Sequence, residues 1–73
     1  MPSGKALRPG QTDPRVQVLR QRLQVAGLAS YQPQPDPAFF DDELARATMR
    51  FQREAYLEAD GVVGPSTLAA LNL

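Results

Sequence analysis

Chemistry in this chain falls to carboxylates, hydroxyls, one lysine and arginines, because its 73 residues include no His and no Cys. The commonest general base and metal ligand are therefore missing, and so are thiolate nucleophiles, zinc–thiolate sites and disulfides. The densest acidic run is Asp41-Asp42-Glu43. Adjacent residues point in different directions, so the run suits the positive end of a helix better than a converging metal site. Ser66 and Thr67 have hydroxyls but no His or Lys nearby in sequence to activate them. No nucleophile stands beside a base, no Gly-rich loop is built for phosphate, and no spacing matches a metal site. The expectation is a non-catalytic module with no metal and no cofactor.

The elements that would position these groups are short helices. Asp13-Pro14 opens the first, with Asp as N-cap and Pro at the first helical position. Val16, Leu19, Leu23 and Ala26 then form one apolar stripe, and Gly27 is placed to end the helix, with Leu28 folding back on Leu23. This predicts a helix over 14–26. Asp41 or Asp42 caps a second helix over 42–55, with Leu44, Ala47, Thr48, Phe51 and Ala55 on its apolar face and Met49 and Tyr56 on a weaker second line. Asp60-Gly61 marks a turn, Val62-Val63 a short extended piece, and Gly64-Pro65 the start of a third helix. In that third helix Leu68 and Leu71 face the core, and Asn72 closes the end. The fold class expected is all-α, a small three-helix bundle with short connecting turns.

Around these helices, residues 1–12 read as a Pro/Gly-rich segment docked through Leu7, with a turn at Pro9-Gly10. Residues 29–38 read as a loop, since Pro33, Pro35 and Pro37 block helix and ladder alike. The domain organisation expected is a flexible tail over 1–6 and one domain over 7–73. Leu, Ile, Val and Phe supply 17 of the 73 residues, above the roughly one-fifth below which chains tend to stay disordered. No apolar run approaches a signal sequence or a membrane span. The ending at Leu71-Asn72-Leu73 fits a piece of a longer protein.

Charge sums to zero but is unevenly placed. Residues 1–28 hold Lys5, Arg8, Arg15, Arg20 and Arg22 against Asp13 alone; residues 29–73 hold three arginines against seven carboxylates, a split of +4 and −4. The zero sum argues against a dedicated nucleic-acid binder, and no helix gathers Arg and Asn at its start as a groove-reading helix does. The basic half reads either as ordinary helix solvation or as a face for an anionic polymer or acidic partner.

In order and spacing, two sets of residues resemble a known pattern. The first is Gly10, Asp13, Val16, Leu19-Arg20, Leu23 and Gly27; the second is Ala47-Thr48, Phe51-Gln52, Leu57, Asp60-Gly61, Gly64, Thr67 and Leu71. The pattern is that of the small peptidoglycan-binding domain of bacterial cell-wall enzymes, and the likeness runs over about residues 7–72. Asp13-Pro14-Arg15-Val16, Phe40-Asp41, Leu44 and Leu68-Ala69-Ala70-Leu71-Asn72 look most like the copy carried by large Gram-negative L,D-transpeptidases, whose catalytic Cys lies in a separate domain. Two positions depart from the pattern. Tyr56 stands where Gly is usual, which costs on the order of 1 kcal/mol if the backbone is left-handed there. Thr48 stands where Val is usual, and its buried hydroxyl must then bond a carbonyl one turn back.

The resemblance implies a monomeric module of the periplasm or cell envelope. It would bind peptidoglycan, by glycan or stem peptide, and target an attached cell-wall enzyme. The alternative is a protein–protein interaction domain regulating a neighbouring catalytic domain. The motif residues Phe51, Gln52, Asp60, Gly61, Gly64 and Thr67 read mostly as architecture: Phe51 a core anchor, Gln52 closing the adjacent loop through its backbone, Thr67 bonding within the first turn of its helix. Ligand contact calls for exposed rings and cations, for which Tyr31, Phe40, Tyr56, Arg46, Arg50 and Arg53 are the candidates. For Phe40 the competing role is a hydrophobic staple under the second helix.

Overall fold

Each helix begins where a side chain or a Pro satisfies its first turn. In the computed structural model, which describes residues 6–31 and 35–71, α1 spans Pro14–Val25, α2 Asp42–Glu54 and α3 Pro65–Leu71. Asp13 caps α1 by accepting from the Arg15 N–H at 2.8 Å, and Asp41, rather than Asp42, caps α2 by accepting from the Leu44 N–H at 2.8 Å. Both helices end one residue earlier than the apolar spacing predicts, because Ala26 and Ala55 are caps rather than last helical residues. Of the tail expected over 1–6, residues 1–5 lie outside the described residues, as does the closing role of Asn72.

The two long helices end in the same motif. After α1, Leu28 N–H donates to Leu23 O at 2.9 Å and Gly27 N–H to Gln24 O at 3.0 Å; Gly27 takes φ +77°. After α2, Leu57 N–H donates to Gln52 O at 2.7 Å and Tyr56 N–H to Arg53 O at 3.1 Å; Tyr56 takes φ +60°. These are paired Schellman closures, one with Gly at the left-handed position and one with Tyr. Tyr56 therefore lies beyond α2, and the second apolar line through Met49 and Tyr56 does not form.

Leu7, Val16, Leu19, Leu23, Phe40, Leu44, Ala47, Val63, Leu68 and Leu71 make the core. Phe51 packs against it only partly buried, less than an anchor. Thr48 is buried, and its Oγ1 donates to Leu44 O at 2.8 Å, the bond one turn back that its hydroxyl requires.

The N-terminal segment is bound at more points than Leu7 alone. Leu7 exchanges both backbone bonds with Val63, at 3.0 and 2.8 Å. Gly10 N–H donates to Phe40 O at 2.8 Å, Phe40 N–H to Gln11 O at 2.8 Å, and Asp13 N–H to Ala38 O at 3.0 Å. Arg20, only 5% exposed, reaches from α1 to donate to Phe39 O at 2.8 Å and Pro37 O at 3.4 Å, and lies 3.5 Å from Asp41 Oδ2. Arg22 donates to Leu71 O at 3.1 Å, closing the end of α3. Arginines that read from sequence as a basic face are here fastening loops and helix ends.

Candidate functional site: a groove built on Gln52

Gln52 lies in the last turn of α2, one turn beyond Thr48, and is 1% exposed. Its amide ties the following loop to the helix. Nε2 donates to Val62 O at 3.0 Å, Thr67 Oγ1 at 3.1 Å and Asp60 Oδ1 at 3.2 Å, while Oε1 accepts from Gly61 N–H at 3.0 Å. Asp60 Oδ1 also accepts from Val62 N–H at 2.9 Å, an Asx turn that carries the chain over Gly61 at φ +76°. Only a side-chain amide offers donors and an acceptor together at this point. Among the described residues no buried side-chain N or O atom lacks a partner. Gln52 thus closes the loop as its sequence position implies. Thr67, however, bonds across to Gln52 and not within its own turn.

The tied loop leaves a shallow groove of about 240 Å³. Gln52 and Thr67 form its base; Leu57, Glu58, Asp60, Val62, Pro65 and Ser66 are among the residues that wall it. Its ionisable groups are both carboxylates, Glu58 and Asp60, with no cation in the lining. A second hollow of about 230 Å³ includes Asp13 and Arg15. These two already pair at 3.2 Å, and the Arg15 guanidinium and backbone N–H hold the Asp13 carboxyl below its ordinary range.

The expected contact residues are dispersed. Phe40 is corrected from the candidate set: it is 1% exposed, in the core ahead of the Asp41 cap, with no face for a ligand. Tyr31 and Tyr56 are exposed, 72% and 97% respectively, so neither ring covers the core. Arg46, Arg50 and Arg53 form an exposed stripe at helical spacing on α2, with Arg50 bonded to Glu54 at 3.2 Å. None of these lines the groove. Sequence reasoning passed over Glu58 and weighed Ser66 only as a hydroxyl without a base, although both sit between motif residues that it did single out.

Over residues 12–71 the chain matches the family described as "Putative peptidoglycan binding domain". The chain belongs to that family. As a peptidoglycan-binding module it is 36% identical over 70 residues to a "Probable N-acetylmuramoyl-L-alanine amidase" from Bacillus licheniformis, an alignment covering 96% of this chain and 20% of that protein. Its backbone matches the SleB N-terminal domain with a TM-score of 0.83 at 27% identity, covering 96% of this chain and 92% of that one. It also matches an L,D-transpeptidase from Xylanimonas cellulosilytica with a TM-score of 0.76 at 36% identity, covering 99% of this chain and 34% of that one. The expected likeness to transpeptidase-borne copies thus has a solved counterpart. This module spans about a fifth of the amidase and a third of the transpeptidase structure. Its closing motif, Gln52, Asp60-Gly61, Gly64 and Thr67, is the one that builds the groove.

Proposed function

We propose that this domain holds an attached cell-wall enzyme against peptidoglycan, in the periplasm or cell envelope, and catalyses nothing itself. One observation carries this reading: the family's closing motif folds into a groove whose polar base is fixed by four hydrogen bonds of one buried amide. A groove held in this way can receive a ligand without reorganising. The amidase and the transpeptidase support the enzyme context, since each extends well beyond the length this module covers. Tethering raises the local concentration of the enzyme at the wall even when the module binds weakly.

The ligand is the glycan or the stem peptide, and the domain acts as a monomer. Tyr31 and Tyr56 offer exposed rings, and Arg46, Arg50 and Arg53 offer exposed cations. The test is co-sedimentation of the 73-residue chain with purified sacculi. The chain should pellet well above an unrelated protein of similar charge, and recovery no higher than that control would refute direct binding.

A further inference from the structure

Among the described residues, Tyr56 is the only non-glycine residue with positive φ, at +60°. It is also the most exposed of the large hydrophobic side chains, at 97%. The ring gains nothing from packing, and Gly would take the same backbone conformation without steric strain. A strained residue whose side chain supports no part of the fold points to a role outside the fold. Its neighbours in sequence, Leu57 and Glu58, line the groove.

The groove's chemistry narrows the ligand. Glu58 and Asp60 line it with no cation beside them, so the carboxylates of a stem peptide would meet like charge there. A neutral sugar chain carries hydroxyl and acetamido N–H donors, and the groove has acceptors to meet them. Asp60 Oδ2, the Glu58 carboxylate and Ser66 Oγ carry no hydrogen bond from the described residues. Leu57, Val62 and Pro65 provide apolar wall for ring C–H faces and acetyl methyls.

We infer that this groove takes the glycan strand of peptidoglycan rather than its stem peptide, with Tyr56 as a stacking platform for a sugar ring at the rim. The inference rests on the peptidoglycan-binding reading of the groove. Its test uses the ¹⁵N-labelled 73-residue chain titrated with neutral, peptide-free N-acetylglucosamine oligomers, which lack the lactyl carboxylates that peptide removal exposes on muramic acid, and, separately, with free stem tetrapeptide. Intact sacculi serve as the reference. Glycan should shift amides across 56–67 and the tetrapeptide should not. Tyr56→Gly and Tyr56→Asn both suit a left-handed backbone and should weaken glycan binding about fivefold or more; Tyr56→Phe should keep most of it. Response to the tetrapeptide alone, or unchanged glycan affinity in Tyr56→Gly, overturns the inference. Sacculi that retain the chain while peptide-free glycan does not bind sink this inference alone. A parent chain that sacculi fail to retain sinks the functional reading with it.

Discussion

Replacing Gln52 by Leu should cost the domain about 3–4 kcal/mol of folding stability. The two side chains are close in volume, so the loss is in hydrogen bonding and not in a cavity. Four contacts disappear, those of Nε2 with Asp60 Oδ1, Val62 O and Thr67 Oγ1 and that of Oε1 with Gly61 N–H. At about 1 kcal/mol net per bond the total is about 4 kcal/mol. Two amide hydrogens serve three acceptors, which lowers it to about 3. Stranding the N–H of Gly61, a buried residue, keeps it from falling further. A 73-residue domain has about 4–11 kcal/mol in all, so the variant loses between about a quarter and all of its stability. Urea unfolding followed by far-UV circular dichroism should show a lower midpoint with an unchanged slope. Gln52→Glu should be worse than Leu at neutral pH, because a carboxylate would replace the donor that faces Asp60 Oδ1 and Val62 O. Burial and the neighbouring carboxylate raise the folded pKa of such a group, so its penalty applies above that pKa and fades on acidification. A loss below about 1 kcal/mol for Leu, or a Glu variant as stable as the parent, would refute the assignment of Gln52 as the loop's fastening.

Tyr56→Gly should raise stability: the left-handed penalty of about 1–2 kcal/mol is removed, and the greater flexibility of unfolded Gly returns about 0.4–1 kcal/mol of it. Scanning calorimetry should read a melting point higher by about 2–8 °C, while Tyr56→Ala, which keeps a Cβ, should gain nothing. Arg20→Met should cost about 2–3 kcal/mol by leaving the Pro37 and Phe39 carbonyls without their donor, with increased amide exchange over 38–41 as the local readout. The folded pKa of Asp13 lies below its ordinary 3.8, so its contribution is present above that value and is lost as pH falls through the folded one. Thermal melts from about pH 5 to about pH 2 should therefore fall less steeply for Asp13→Asn than for the parent. The pair Arg46→Glu and Arg53→Glu should weaken retention on intact sacculi while leaving binding of peptide-free glycan unchanged, and an equal loss on both would place the arginine stripe in the glycan site.

Helix starts were legible in the sequence because their signals are local: Asp13-Pro14, Asp41 and Pro65 each satisfy a first turn from within a few residues. So was the end of α1, where Gly27 is the residue that a left-handed position favours. The end of α2 hid behind a Tyr in the same geometry, which looked like one more apolar helical residue until its φ was known. Phe40 was ambiguous for a related reason. A ring just before a cap serves equally as core or surface, and only the pairing of Phe40 with Gln11 and Gly10 turns it inward. Least legible were the arginines. Side chains that reach 17, 19 and 49 residues away, as Arg20 and Arg22 do, leave no periodic trace. Gln52 was readable as a loop fastening, yet the groove it creates was not, because Glu58 and Ser66 become neighbours only through the turn at Gly61.

That outcome changes what the charge asymmetry means. The basic first half suggested a cationic face for an anionic polymer, but Arg15 is engaged with Asp13, Arg20 with two loop carbonyls and Arg22 with the end of α3. The exposed cations of α2 lie instead in the half whose net charge is negative, at Arg46, Arg50 and Arg53. The groove that follows the same helix is lined by two carboxylates, Glu58 and Asp60, and by no cation. α2 therefore leads into an acidic groove and bears a cationic stripe, and a ligand of uniform charge would be repelled by one of these two surfaces. Peptidoglycan is not uniform: its sugar backbone is neutral and its stem peptides end in carboxylates. A neutral strand in the groove and stem carboxylates against the α2 arginines would match both surfaces, whereas a polyanion such as a nucleic acid would match only the second.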